Sequence, residues 1–474
     1  MRYDALIIGA GLSGLAAGIR LALFDKKVLI VEKHVEIGGL NSFYVRKQRT
    51  FDVGLHAMTN YSPPGVRSSP LGKLLKQLRL RHEDLGLCEQ IQSEVRFPEH
   101  RLRFTNEFAF FEQEVAEQFP GQRDGFQKLL ARIRDFNELD LNLRGRHSSR
   151  EILESCMTDP VLIDMLFCPL MYYGNAAEHD MDFYQFVIMF KSVFMEGFAR
   201  PAGGMPYILG LLLDKYRALG GEIRMGAPVA ALHTRNRELV DTEHADGDRI
   251  QADRVLSSAG YVETMQMVQP APVHDLKAAT GQVSFMESLF VLDRPARDLG
   301  LGQSIVFYCT TPRFHYRVPD ELIDITSGVF CVPDNFRYPQ PPPEGMVRLT
   351  QLANFGLWDR LPRSAYRQAK KDQRQRAVEE ALKFFPDFRP NVVFLDTFTP
   401  KTIFKYTGHL NGAVYGSPNK IKDGTTPVKN LFICGTDQGF MGIIGATLSG
   451  ISMANLRVLL APSTPTPEAG EIHA

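Results

Sequence analysis

The chain has one tryptophan in 474 residues, only six cysteines, and no surplus of either charge. Each shortage excludes something. Cys88, Cys156, Cys168, Cys309, Cys331 and Cys434 form no Cys-x-x-Cys pair and no His/Cys ligand spacing. They offer neither a disulfide framework nor a metal site, and read as reduced, mostly buried thiols of a cytosolic protein. Lys+Arg and Asp+Glu both total 54, which removes the electrostatic argument for nucleic acid. No uninterrupted apolar run reaches the length of a membrane span. The first strand begins almost at the N-terminus and leaves no room for a cleaved signal peptide, so a cytoplasmic location is expected. Neither a Ser/His/Asp arrangement nor a pair of carboxylates stands out.

What is present begins at the N-terminus. Asp4-Ala5-Leu6-Ile7-Ile8 reads as a buried parallel strand, and Gly9-Ala10-Gly11-Leu12-Ser13-Gly14 follows it directly. Leu15 to Ala22 has the small-and-apolar pattern of a helix packed on a sheet, and Lys27-Val28-Leu29-Ile30-Val31 is a second strand ending at Glu32. This is a dinucleotide-binding βαβ unit with its acid at the expected distance. Gly9 permits the tight turn, Gly11 lets the backbone approach a pyrophosphate, and Gly14 lets the helix pack closely on the strand. The helix N-terminus offers unpaired N–H groups to phosphate. Glu32 accepts from a ribose hydroxyl and repels a 2′-phosphate.

Further glycine motifs recur in order. Ile37-Gly38-Gly39-Leu40-Asn41-Ser42 lies just past Glu32, and Phe51-Asp52-Val53-Gly54-Leu55-His56 reads as a strand after a short hairpin. Pro201-Ala202-Gly203-Gly204-Met205 precedes a helix, Val229 follows Gly220-Gly221-Glu222-Ile223, and Ala252 to Gly260 reads as another strand and turn. Near the C-terminus a strand ends at Cys434-Gly435-Thr436-Asp437, and Gly442-Ile443-Ile444-Gly445-Ala446 opens a helix.

Together these segments resemble the flavin amine oxidase superfamily, most of all its phytoene desaturase, carotenoid isomerase and retinol saturase branch. The resemblance implies an α/β fold: a Rossmann-like FAD-binding domain of the amine oxidase and glutathione reductase kind, with an inserted α+β substrate domain. It implies that FAD is held by Gly9, Gly11, Leu12, Ser13 and Gly14, by Glu32 and Lys33, and by Gly38, Gly39, Leu40 and Asn41. Val229 would contact the adenine end through its backbone, and Gly435 and Asp437 would lie near the pyrophosphate and ribityl. Gly442, Ile443, Ile444 and Gly445 would cover the pyrimidine edge of the ring. Leu40 stands where many relatives carry Arg, so that contact is not carried over.

A chain of 474 residues exceeds the usual ceiling for one core, so separate lobes are expected. The FAD lobe reads as 1–70, 200–270 and 395–460, with a largely helical insertion at 71–199 and a substrate domain at 271–394. The tail, 461–474, reads as disordered. No second glycine-rich strand–turn–helix is present for a separate nicotinamide domain. The 32 Phe and 16 Met read as core filler, with a long apolar tunnel as the functional alternative.

Four stretches compete for substrate-side roles. Phe183 to Phe198 is apolar on more than one helical face, which favours a buried helix over a cavity wall or membrane-facing mouth. Arg363 to Arg376, with Arg367, Lys370, Lys371 and Arg374, reads as a solvated helix, docking on anionic lipid being the alternative. His56 ends the strand that in relatives passes beside the flavin; it is a candidate for positioning substrate or transferring a proton, with a structural, hydrogen-bonded histidine as the alternative. Tyr406, with Lys405, precedes the C-terminal flavin strand and is a second catalytic candidate, with a strand-end packing role as the alternative. The expected activity is FAD-dependent oxidoreduction at C–C bonds (desaturation, saturation or isomerisation) of a hydrophobic polyene or isoprenoid substrate. A flavin amine oxidase, a secondary-metabolite desaturase and a flavin-binding protein without turnover are the alternatives. Neither an aromatic cage nor a flavin-proximal lysine is recognisable in the sequence. No metal is indicated.

Overall fold

A computed structural model describes residues 2–54, 56–136, 147–271 and 276–460; Leu55 and the tail segment 461–474 lie outside the described residues. The N-terminal βαβ unit lies at the centre of one sheet. Arg2–Ile8 pairs in parallel with Val28–Val31 on one side and Arg249–Ser257 on the other. Glu222–Arg224 extends the sheet beyond Val28–Val31, and Leu431–Ile433 pairs in parallel with Arg249–Ser257. Val28–Val31 is buried along its whole length, as a parallel strand covered on both faces must be. Val229–Arg235, Glu238–His244 and Val268–Gln269 complete an eight-stranded sheet.

Two helices lie together on this sheet, Leu12–Ala22 and Gly442–Ala454. They approach until side chains no longer fit, since a Cβ on Gly450 would stand 1.9 Å from the Ser13 carbonyl oxygen; the first helix packs as closely on its own turn, where a Cβ on Gly14 would stand 2.0 Å from the Gly9 carbonyl oxygen. The stretch Gly442–Leu459, 18 residues, is long and apolar enough to cross a membrane by length and composition, although it is not an uninterrupted apolar run, since Asn455 and Arg457 fall within it. Its Ser, Thr and Gly residues interrupt the apolar run in sequence but cost little in a packed helix. Part of it, 44%, is buried against the protein.

The second sheet has seven strands in the order Val392–Phe398, Ser284–Leu292, Gly345–Ala353, Ser327–Cys331, Ile305–Cys309, Ser93–Arg96 and Arg101–Phe104. The stretches 71–199 and 271–394 therefore meet in one body. The first of them is not only helical. Its strands in this sheet are four residues long and charged, Ser-Glu-Val-Arg and Arg-Leu-Arg-Phe, too short and polar to show a two-residue period.

Phe183–Phe190 is helical and continues as a π-turn over Lys191–Met195. Phe186, Phe190, Phe194 and Phe198 are fully buried, and Phe194 stacks on Phe111 at 4.2 Å between centroids. Most of this run is core, as the burial reading expects. Its outer edge, including Tyr184 and Ile188, borders a surface cleft. The hairpin before His56 also differs from expectation: its second strand is Arg49–Asp52, and Val53 and Gly54 already bend away.

Candidate functional site

A groove runs along the C-terminal ends of the parallel strands, where open α/β sheets bind ligands. Gly9, Gly11, Leu12, Ser13, Glu32, Lys33, Gly38, Gly39, Leu40, Asn41 and Val229 all border it. The glycines divide the labour. Gly9 has φ +99°, and a Cβ there would meet Ser258 Oγ at 2.4 Å. A Cβ on Gly11 would find only the Gly38 carbonyl oxygen, at 4.0 Å, so this residue opens on free space. Gly38 N–H donates to the Ala10 carbonyl at 2.9 Å, joining the two glycine turns into one cradle. Glu32 is buried at the strand end, where its carboxylate accepts from Ala10 N–H at 2.7 Å and His34 N–H at 2.9 Å. Two backbone donors thus fix its orientation in the groove.

Several expected residues stand elsewhere. Gly14 packs against the Gly9 backbone rather than bordering the groove. Asp437 turns inward: its carboxylate accepts from Tyr261 N–H at 2.5 Å and Ser417 N–H at 2.7 Å. Gly435, at φ +89°, donates its N–H to Ser449 Oγ at 2.6 Å and serves to join two elements. Their neighbour Thr436 is the residue that borders both the groove and the cavity beyond it. Gly442 and Ile443 face that inner cavity, Ile444 is buried in the core, and Gly445 faces the surface cleft instead. Ala446 borders groove and inner cavity alike. Tyr406 does not reach the inner cavity. It is 50% exposed at the groove's rim, where its ring meets His34 edge-on at 5.6 Å. On the last turn of Pro400–Thr407, Tyr406 lines the groove, whereas Ile403 of the same helix borders the inner cavity.

The inner cavity has a volume of about 170 Å³ and opens from the groove at Leu40, Asn41, Thr436 and Ala446. His56 lies on its wall. His56 Nε2 stands 3.0 Å from Glu287 Oε2 and 3.1 Å from Thr350 Oγ1. The Thr350 hydroxyl donates to the same Glu287 oxygen at 2.9 Å, while Arg348 donates to Glu287 Oε1 at 2.7 Å through Nε. Arg348 also reaches the Val53 carbonyl, and Arg200 donates to the His56 carbonyl at 2.6 Å and to Asp52 at 2.8 Å. The bend that carries His56 is therefore held by two buried guanidinium groups.

The charges resolve clearly. Burial would raise the Glu287 carboxyl, but Arg348 and His56 outweigh it and bring it down to about 2. Burial pushes His56 below its ordinary 6.5 despite the attraction of Glu287. At neutral pH Glu287 is an anion and His56 is uncharged. An anion at Nε2 requires a proton there, which assigns the Nε2–H tautomer and leaves a lone pair on Nδ1. Nδ1 has no partner among the described residues.

Aromatic rings complete the walls. Tyr172 stacks on Phe285 with centroids 5.9 Å apart, and Phe285 meets Tyr415 edge-on at the same distance. Tyr173, whose ring lies 6.4 Å from that of His56, has a buried hydroxyl with no hydrogen-bond partner among the described residues. This ring cluster was not recognisable in sequence, because its members come from three separated segments. Glu287, Arg348 and Thr350 carry no signal in the sequence motifs for the same reason. The one available signal was a charged residue in each of the apolar strands Ser284–Leu292 and Gly345–Ala353.

The sequence model of the family "Flavin containing amine oxidoreductase" matches residues 12–456, and the chain belongs to this family. It is similar to a chloroplastic prolycopene isomerase of Arabidopsis thaliana, 23% identical over 96% of this chain and 82% of that protein. An all-trans-retinol 13,14-reductase of Danio rerio is 20% identical over 96% of this chain and 85% of that one. Among solved structures, an oxidoreductase from Methanosarcina mazei shares the fold, with TM-score 0.67 and 18% identity over 96% of this chain and 100% of that one. The protein is an FAD-dependent oxidoreductase or isomerase with the flavin amine oxidase fold. The groove fits FAD on its own chemistry: a glycine cradle open at Gly11 and an oriented acid at Glu32.

Proposed function

We propose that this enzyme acts on C–C bonds of a hydrophobic polyene or isoprenoid-type substrate seated in the inner cavity. Gly11, Ser13, Gly38 and Gly39 would hold the FAD pyrophosphate, Glu32 a ribose, and Val229 the adenine end. Thr436, Gly442 and Ile443 would face the ring. Bound there, FAD supplies hydride-level oxidation or reduction at carbon, or the transient electron transfer that permits isomerisation.

The observation that carries the reading is the cavity's charge and shape. Its walls are largely aromatic and aliphatic, and its only acid among the described residues, Glu287, is already neutralised by Arg348. Such a site suits a flat, uncharged, conjugated chain. His56 meets that chain as a neutral base: Nδ1 takes or returns the proton that accompanies a change at carbon, while Glu287 holds Nε2–H. The tyrosine and phenylalanine rings exclude water from the reacting carbon. The names of the isomerase and reductase relatives agree with polyene chemistry.

The test is anaerobic. Carotenoids, retinoids and amines are added to flavin-loaded protein in both redox states, and flavin absorbance and products are followed. Conversion of a polyene in either state supports the reading. The rings around Tyr172 and Phe285 also suit an amine, and flavin bleaching by amines alone would move the enzyme to the oxidase side of the family. A cytoplasmic location with peripheral membrane contact belongs to the same proposal, because a polyene partitions into lipid; co-sedimentation with anionic vesicles tests it.

A further inference from the structure

Desaturation leaves a proton on His56 Nδ1 and saturation takes one from it. Either way a proton crosses between the inner cavity and solvent once per turnover. It cannot cross through Nε2: Glu287 and Arg348 behind that nitrogen are buried, and a guanidinium gives up no proton. The path therefore starts at another polar group on the cavity wall. Most of these lead nowhere. Thr350 donates to Glu287, the Tyr415 hydroxyl to the Tyr172 carbonyl, and Thr59 to the Asn60 amide oxygen at 3.1 Å. The Tyr173 hydroxyl has no hydrogen-bond partner among the described residues, and Thr436 opens on the flavin groove.

Tyr172 differs. It lines the cavity with its ring stacked on Phe285, and its hydroxyl meets Ser327 Oγ at 2.9 Å. Ser327 Oγ donates in turn to Asp324 Oδ2 at 2.6 Å. A serine hydroxyl has one hydrogen to give, so the hydrogen in the first bond belongs to Tyr172. Both hydroxyls thus point the same way, toward the carboxylate. Tyr172 and Ser327 are buried, but half-buried Asp324 borders a separate surface pocket of about 400 Å³. The other oxygen of Asp324 accepts from the Thr326 N–H at 2.8 Å and hydroxyl at 2.7 Å, which fixes the carboxylate's aim. His315, Arg317, Asp320, Glu321 and Arg376 share the pocket. Burial first, and the Asp324 charge after it, hold the Tyr172 phenol well above its ordinary range. It stays protonated, and passes a proton only by accepting one as it gives one.

We infer that Tyr172, Ser327 and Asp324 form a proton relay between the inner cavity and the surface. This rests on the proton chemistry proposed for His56. With product gone, water in the emptied cavity brings the proton from Nδ1 to the Tyr172 oxygen. Tyr172 gives its own hydrogen to Ser327, Ser327 gives its hydrogen to Asp324, and Asp324 releases it to water in the pocket. Both hydroxyls then turn back to their acceptors. One proton enters and one leaves; no bond to carbon changes and no electron moves. Saturation runs the same chain inward. Ser327 and Asp324 act through Tyr172.

Ser327→Ala breaks the chain inside the protein, while Asp324→Ala removes its outer end and leaves a space open to the pocket. Each is expected to retain fold and flavin and to keep the rate of the first anaerobic turnover of a polyene. Steady-state turnover with a redox dye is expected to fall about tenfold or more in both. Formate, which replaces the missing carboxylate, is expected to restore Asp324→Ala but not Ser327→Ala, and chloride neither. A packing role for these side chains would not respond to formate. Wild-type steady-state rates in both variants, a loss already complete in the first turnover, or an Asp324→Ala rate that formate leaves unchanged would each overturn the relay alone. Wild-type protein that converts no polyene would contradict the functional reading and the relay with it.

Discussion

The dinucleotide groove and the inner cavity adjoin, yet they are built by opposite means. The groove is made of backbone: glycines within one βαβ unit, a second glycine turn tied to the first, and one acid held by two N–H groups. The inner cavity is made of side chains carried by strands and turns hundreds of residues apart, such as His56, Glu287 and Arg348. A backbone site tolerates little at a few positions. A side-chain site is held by a buried charge network and can lose one member while keeping its fold.

The largest effects belong to the glycines, and they separate fold from cofactor. Gly14→Val drives a side chain into the Gly9 carbonyl and is expected to yield no folded holoenzyme. Gly11→Asp adds its side chain to open groove space. It is expected to fold, with a wild-type circular dichroism spectrum, and to bind almost no flavin. Loss of structure in Gly11→Asp would erase this distinction.

Next comes the network. Arg348→Met leaves Glu287 buried without its main cation and is expected to cost about 3–5 kcal/mol, seen as a fall in melting temperature. The double variant with Glu287→Gln should recover part of it. Equal melting of single and double variants would show that the pair is not coupled. His56→Ala is expected to retain flavin and fold while turnover of a polyene falls about 10²–10⁴-fold. Full turnover would reduce His56 to a packing residue.

The pH effects are smaller and share one sign. Both groups are depressed in the folded state, so the unfolded chain binds more protons and stability falls with acidity. The His56 contribution is present above 6.5 and is lost as pH falls through its lower folded value. That of Glu287 is present above 4.5 and is lost on the way down to about 2. Turnover is expected to be flat from neutral pH upward and to decline below 6.5, and melting curves in acid should converge for wild type and His56→Ala. Smallest of all, Tyr173→Phe removes a buried hydroxyl that has no hydrogen-bond partner among the described residues. It is expected to leave stability unchanged or raise it by up to about 1 kcal/mol.

This contrast also explains what could be read from the chain. Gly9 to Gly14 and Glu32 are legible because their chemistry depends on neighbours within one strand–turn–helix. Thr436 was hidden beside Asp437, since only the turn's geometry shows which of two adjacent residues faces the groove and which accepts from Tyr261 and Ser417. Tyr406 looked well placed because it precedes the C-terminal strand, but distance along the chain does not reveal which side of a helix end is exposed. His56 was found through the resemblance, while its partners were invisible: no local pattern pairs residue 287 with 348 across two antiparallel strands. The strands Ser93–Arg96 and Arg101–Phe104 escaped for want of length, and only their partner Ile305–Cys309 defines them.

Polyene chemistry at a flavin is tested most directly by product analysis after anaerobic incubation of a carotenoid or retinoid with wild-type holoenzyme, oxidised and reduced, beside Gly11→Asp. The prediction is a desaturated, saturated or isomerised polyene from wild type in at least one redox state, and none from the flavin-free variant. An unaltered polyene in both states, or equal conversion by Gly11→Asp, would contradict it.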